Sequence, residues 1–192
     1  MGSLSVSEFK KKAQAEKALI VYEDEATFRQ TPTLHRTWAP RGCQPQIPTR
    51  GQRNSQKVLG AVSLYTNQFV YHHQTDYFNA ETYLCFLEQQ VLPGFYKRGR
   101  RIFLIQDNAS YHKKPEVYDW LTKHRNKMEV FLLPAYSPEF NAVERIWYHT
   151  RRNATHNRYF DTPEDLCHSL FHTFAEIQRK PDSIAGYMRP FF

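Results

Sequence analysis

Residues 5–17, SVSEFKKKAQAEK, are polar and rich in helix formers, and at Ala18 they give way to the apolar run ALIVY. So abrupt a switch predicts a buried first strand over 18–22, ending in the acidic cluster Glu23-Asp24-Glu25. Two β-rich segments follow at 58–65 and 68–74, with Thr66-Asn67 between them as a hairpin turn. Asn79 is placed to cap a helix over ETYLCFLEQQVL, in which Tyr83, Phe86, Leu87 and Val91 recur at helical spacing and Pro93-Gly94 is expected to stop the run. The run RIFLIQ at 101–106 is almost wholly apolar and ends at Asp107, the pattern of a strand covered on both faces. A helix over 113–125, a buried strand over 128–133 and a helix over 142–151 come next. A last helix begins near Thr162, where Thr-Pro-Glu-Asp supplies a cap, a first-turn proline and first-turn acids.

The predicted order is β-β-β-α-β-α-β-α plus a C-terminal helix. Three strands in succession followed by alternating units imply an α/β fold, with a mixed five-stranded sheet flanked by helices. Residues 1–17 form a helical or flexible extension, and 18–192 make one domain with a core of ordinary size for that length. Residues 35–57 hold three prolines, two glycines and several arginines, which reads as a long basic loop inside that domain.

Composition narrows the function classes. A hydrophobic fraction of 41% with 15% aromatics excludes disorder by composition. The formal charge of +7 suits a polyanionic partner such as nucleic acid. Three cysteines, Cys43, Cys85 and Cys167, lie far apart in no CxxC arrangement, which argues against a disulfide framework and a structural zinc site. His168 and His172 beside Cys167 lack a second ligand pair, so zinc is set aside. No apolar run is long enough to span a bilayer and the opening residues lack a signal-peptide core. The expectation is a chain without membrane association, cytoplasmic and nucleoid-associated in a bacterium or nuclear in a eukaryote.

Three acids stand where chemistry as well as structure has a use for them: Asp24 after the first apolar run, Asp107 at the end of the fourth strand and Glu144 in the first turn of a late helix. Two of them also have an ordinary role, Asp107 in an Asx turn and Glu144 at the third helical position of a capping box opened by Asn141. Strand alternation puts Glu23 and Glu25 on the face opposite Asp24. If strands one and four are parallel neighbours, Asp24 and Asp107 emerge at the same sheet edge, where α/β proteins bind ligands. Three carboxylates without a thiol or a histidine pair favour magnesium or manganese. Two such ions can activate a water or a 3′-hydroxyl and steady the leaving oxygen of a phosphodiester.

The blocks YEDEATF, IQDNASYHK and PAYSPEFNAVERIW together resemble the three signature blocks of mariner-type and related bacterial insertion-sequence transposases, members of the DDE superfamily with an RNase H-like fold. The resemblance covers about residues 18–150 and implies that Asp24, Asp107 and Glu144 are the catalytic, metal-holding triad, with 36 residues between the last two. It implies phosphodiester hydrolysis at element ends and strand transfer into double-stranded target DNA at a TA dinucleotide, with a homodimer in the DNA complex and no nucleotide cofactor. Phe140 and Ala142 depart from the family's SPELNPIE, the second removing a proline from the first helical position, and Ser110 stands where proline is common. About 17 residues precede the first strand, so the family's helix-turn-helix end-recognition region is expected to lie outside this chain, as in a truncated chain or a split gene. Trp38, Arg41, Arg50, Arg53 and Lys57 of the basic loop, whose W-x-x-x-G spacing also occurs in the family, are candidate DNA contacts, as are Asn108, His112, Asn141 and Arg145. Lys97, Arg98, Arg100, Arg101, Arg151 and Arg152 are further basic candidates. Two other readings fit the same residues: a non-catalytic DNA-binding or assembly module derived from a transposase, and an RNase H-like nuclease that cuts without joining.

Overall fold

The polar opening segment is a helix, α1 (Val6–Ala15), and the apolar run after it starts strand β1 (Leu19–Arg29). The computed structural model describes residues 6–49, 51, 53–74, 76–134 and 137–191. Arg50, one of the basic-loop candidates, lies outside the described residues.

Strand β1 is longer than its apolar run. The acidic cluster does not end it, because β2 (Ser55–Ser63) runs antiparallel beside it and pairs Glu23, Asp24 and Glu25 with Ala61, Gly60 and Leu59. Asp24 therefore sits in the middle of a strand rather than at its end. Strand β3 (Phe69–Gln74) returns antiparallel to β2 through a turn in which Asn67 takes a left-handed φ of 54°.

Helix α2 (Ala80–Phe86) begins at a closed capping box between Asn79 and Thr82. The expected stop at Pro93-Gly94 does not occur. A wide π turn at Leu87–Val91 leads into α3 (Leu92–Phe95), so the proline falls in the first turn of a new helical piece, a position that tolerates proline. Strands β4 (Ile102–Gln106) and β5 (Met128–Leu132) are separated by α4 (Pro115–Lys123). Helix α5 (Ala142–Thr150) runs into a π turn at Arg151–Thr155. Helix α6 (Pro163–Arg179) opens on a second capping box, Thr162 with Asp165, and α7 (Ala185–Met188) is one short turn near the C-terminus.

The sheet order is β3-β2-β1-β4-β5, with β4 parallel to both β1 and β5. Alternation along the strands divides the core into two layers. Ile20, Tyr22, Ala26, Phe28, Val58, Val62, Phe103 and Ile105 pack with α1, α5 and α6, while Leu19, Val21, Leu59, Ala61, Ile102 and Leu104 pack with α2, α3 and α4. Helix α1 is bound to the first layer: Phe9 packs on Phe103 and Phe131, and Lys12 lies over both rings while pairing with Glu129. No helix among the described residues is long and apolar enough to cross a membrane.

Candidate active site

Strands β1 and β4 are in register from Leu19 opposite Ile102 to Tyr22 opposite Ile105. Two residues further along, the same register sets Asp24 beside Asp107, both on the α5 face of the sheet. Glu144 comes to them from α5. Its N-cap Asn141 accepts from Val143 N through Oδ1, and its amide nitrogen donates to the backbone oxygen of Glu23 at 3.0 Å, so one side chain both starts the helix and ties it to β1. The reciprocal half of the expected capping box is missing, since the Asn141 N–H donates to Pro138 O. Glu144 is therefore free of cap duty. All three acids line one open cleft of about 430 Å³, together with Asn108, Ala109, Leu133, Pro134, Ser137, Pro138 and Asn141.

The electrostatics of this cleft are those of crowded negative charge. Asp24 is pushed from the usual 3.8 up to about 8, first by burial, then by Glu144 and Glu25, with Asp107 a smaller contributor. The indole N–H of Trp147 opposes that shift by donating to Asp24 Oδ2 at 3.0 Å. Asp107 is half-exposed; its Oδ1 accepts from Ala109 N at 2.9 Å in the Asx turn that the sequence suggests.

Glu23 and Glu25 do point to the opposite face, into a buried polar cluster with Tyr83, Gln106, Tyr111 and His112 that sequence reasoning did not find. Glu23 is completely buried, neither of its carboxylate oxygens has a hydrogen-bond partner, and burial followed by Glu25, Asp24 and Asp107 pushes its carboxyl well above the ordinary range. His112 lies between the clusters, with Nδ1 3.5 Å from Asp107 Oδ1 and Nε2 3.9 Å from Glu23 Oε2. Burial lowers it to about 4, so at neutral pH it is an uncharged imidazole and neither contact is an ion pair. The Tyr83 hydroxyl donates to Gln106 Oε1. The only sequence signal for this cluster is a triplet of acids inside an alternating strand, which obliges two of them to face the core side opposite the first.

The DNA-contact candidates divide by exposure. Trp38 is 100% exposed, and Arg41 and Arg53 are exposed on the same loop. Lys57 is half-buried on β2, with Nζ 5.9 Å from the centre of the Tyr77 ring. Asn108 stands exposed at the cleft and Arg145 is exposed beside Glu144. Two candidates are placed differently from the expectation of direct contact: His112 and Asn141 are buried at 4% and 3% exposure, with the Asn141 amide used on the chain's own backbone. Asn141 nonetheless lines the cleft, and His112 lies against the Asp107 carboxylate.

The cleft offers an all-oxygen donor set suited to a hard cation, and a cation beside Asp24 would offset the burial and the carboxylate repulsion that raise its proton affinity. The donors fit a divalent cation, although among the described residues no three histidine, cysteine, aspartate or glutamate side chains are already gathered into a ligand set.

A relative from Shigella sonnei, described as the insertion element IS630 uncharacterized 39 kDa protein, is 29% identical over 167 residues, covering 87% of this chain and 48% of the relative. The chain thus spans about half the length of that curated relative. The crystal structure of the Mos1 strand transfer complex matches with a TM-score of 0.64 and 21% identity, over 97% of this chain and 56% of that one. The Mos1 mariner paired end complex with Mg matches with a TM-score of 0.63 and 21% identity, over 96% and 57%. At such identities the structural likeness shows the fold alone, which is RNase H-like. The family profile described as DDE superfamily endonuclease matches residues 19–167, well over half of the sequence, and this chain belongs to that family.

Proposed function

We propose that this chain is the catalytic domain of a DNA transposase, and that Asp24, Asp107 and Glu144 carry its chemistry. The observation that bears most weight is the convergence of these acids, from two adjacent parallel strands and a helix, on one open cleft, where burial and the neighbouring carboxylates raise the proton affinity of Asp24. The IS630 insertion-element relative and the Mos1 strand transfer complex support a reaction on DNA. In this reading Asp24, Asp107 and Glu144 would hold two magnesium ions, with manganese as a substitute, and the ions would supply the charge that activates a water or 3′-hydroxyl and stabilises the leaving oxygen.

The chain's own residues do the rest. Asp24 gives up its proton to serve as a ligand, Asp107 is oriented by its Asx turn, and the Asn141 tie sets Glu144 opposite both. Asn108 and Arg145, exposed beside the acids, are placed to hold phosphate oxygens of the strand. Trp38, Arg41 and Arg53 extend that contact along the duplex, the arginines to phosphates and the indole to an unpaired base. Hydrolysis at each element end is followed by attack of the freed 3′-hydroxyl on target DNA at a TA dinucleotide, in a homodimer assembled on the two ends.

The test is magnesium-dependent nicking of a supercoiled plasmid that carries the element's terminal repeats, comparing the parent with Asp107→Ala. Nicking lost in the variant is expected, together with joined products from the parent. A variant that cuts as well as the parent removes the catalytic assignment, and cutting without joined products makes the protein a nuclease of the same fold.

A further inference from the structure

Trp147 is the largest fully buried side chain of the protein, 1% exposed and edge-on to Phe28, Phe69 and Phe174. A buried indole needs an acceptor for its N–H, and a backbone carbonyl would serve. Here the acceptor is the carboxylate of Asp24, at 3.0 Å on Oδ2. The ring reaches it across the backbone of β2 at Gly60, the residue paired with Asp24 in the β1–β2 ladder. A Cβ at position 60 would stand 2.4 Å from Cη2 and 2.9 Å from Cζ2 of the indole. Only glycine leaves the slot open.

The same helix is fixed at a second point, where the Asn141 amide donates to Glu23 O. Asn141, Glu144 and Trp147 follow one another at intervals of three, which places them along one face of α5. The helix is thereby fastened to β1 one turn before Glu144 and one turn after it. Each fastening grips the strand at or next to Asp24.

We propose that Trp147 is a positioning residue for Asp24: its indole, seated in the slot that Gly60 provides, occupies carboxylate Oδ2 so that Oδ1 is the oxygen presented to the cleft and to a divalent cation there. The proposal rests on the assignment of Asp24 to the catalytic centre. Trp147 touches neither cation nor DNA and acts through the carboxylate it orients. Partners of this kind, one shell removed from a metal, are typically worth about 10- to 100-fold in metal affinity.

The experiment measures Mn2+ binding to the purified chain by the EPR signal of free Mn2+, for the parent, Asp24→Asn and Trp147→Phe, with melting followed by circular dichroism. Phenylalanine keeps most of the buried ring and removes the donor. The expected result is binding by the parent, its loss in Asp24→Asn, and about 10- to 100-fold weaker binding in a cooperatively melting Trp147→Phe. A purely structural tryptophan would lower the melting temperature and leave the affinity of the folded protein unchanged, and that result overturns the inference alone. If the parent binds no Mn2+, or Asp24→Asn binds as tightly as the parent, the catalytic-centre reading falls and takes this inference with it. Should Trp147→Phe fail to fold, the three indole signals of Trp38, Trp120 and Trp147 in a 15N spectrum decide. One buried indole N–H must shift in Asp24→Asn and on addition of Mg2+ to the parent, and its indifference to both overturns the proposal.

Discussion

The raised proton affinity of Asp24 makes the stability of the metal-free chain depend on pH in a direction that can be worked out. In the unfolded chain the carboxyl titrates at its usual 3.8, and in the folded chain at about 8. Between those values the unfolded state has released a proton that the folded state keeps. Stability from this group is therefore fully present below the unfolded value and is lost as the pH rises through the folded one. One proton of difference corresponds to a slope of about 1.4 kcal/mol per pH unit, an upper bound because the cleft is open to water on one side. Asp24→Asn removes the titration and keeps the shape, with an amide oxygen still able to accept from Trp147. Its stability curve should be flatter than the parent's between the two values, and at the alkaline end the variant should be the more stable protein.

The assay is urea unfolding followed by circular dichroism, in buffer with chelator, at several pH values across that window. Parallel curves for parent and variant would refute the reasoning, because Asp24 would then titrate alike in both states. Magnesium adds a second arm. In the proposed site the ionised carboxylate would be the ligand form, so the stabilisation gained by the parent on adding magnesium should grow as the pH rises toward 8, while Asp24→Asn gains little at any pH.

Glu23→Gln should raise the stability of the metal-free chain at alkaline pH more than at acid pH, measured by the same unfolding series, since Glu23 is fully buried without hydrogen-bond partners and its carboxyl is pushed well above the ordinary range. Trp38→Ala with Arg41→Ala should leave melting unchanged, because both side chains stand in solvent, yet weaken binding to duplex DNA and shallow its salt dependence in a fluorescence-anisotropy titration. Thr162→Ala should cost about 1 kcal/mol in urea unfolding, because the hydroxyl accepts from Asp165 N at the start of α6.

How far the sequence exposed this architecture depends on which forces wrote it. Strand β4 reads directly as an apolar run because helices cover both of its faces, whereas β5, expected as a buried strand, lies at the sheet edge with only Met128 of its residues fully buried and Leu132 exposed; the α6 start is visible in Thr162-Pro163-Glu164-Asp165 because capping is local chemistry. Apolar residues alone end β1 at Tyr22, where the charged triplet begins. The ladder to β2 in fact carries the chain on to Arg29, and a cross-strand partner is not a local property. The helical stop at Pro93-Gly94 failed for a related reason, since a π turn five residues long reset the hydrogen-bond pattern before the proline was reached.

The three acids of the cleft were legible because motif spacing and strand alternation both constrain them. The partners of Asp24 were not. Trp147 looks like an ordinary core residue at helical spacing, and Gly60 like a glycine in a strand, until the ladder sets Gly60 opposite Asp24 and leaves an indole-sized slot between them. A carboxylate held largely out of water, crowded by three others and steadied by one indole donor, is costly to the apo chain. That cost is what a divalent cation would relieve. The features that make the cleft unfavourable as bare protein are therefore those expected of a site completed by metal, and Glu144, released from its capping box, is the member of the set whose local duty was given up to join it.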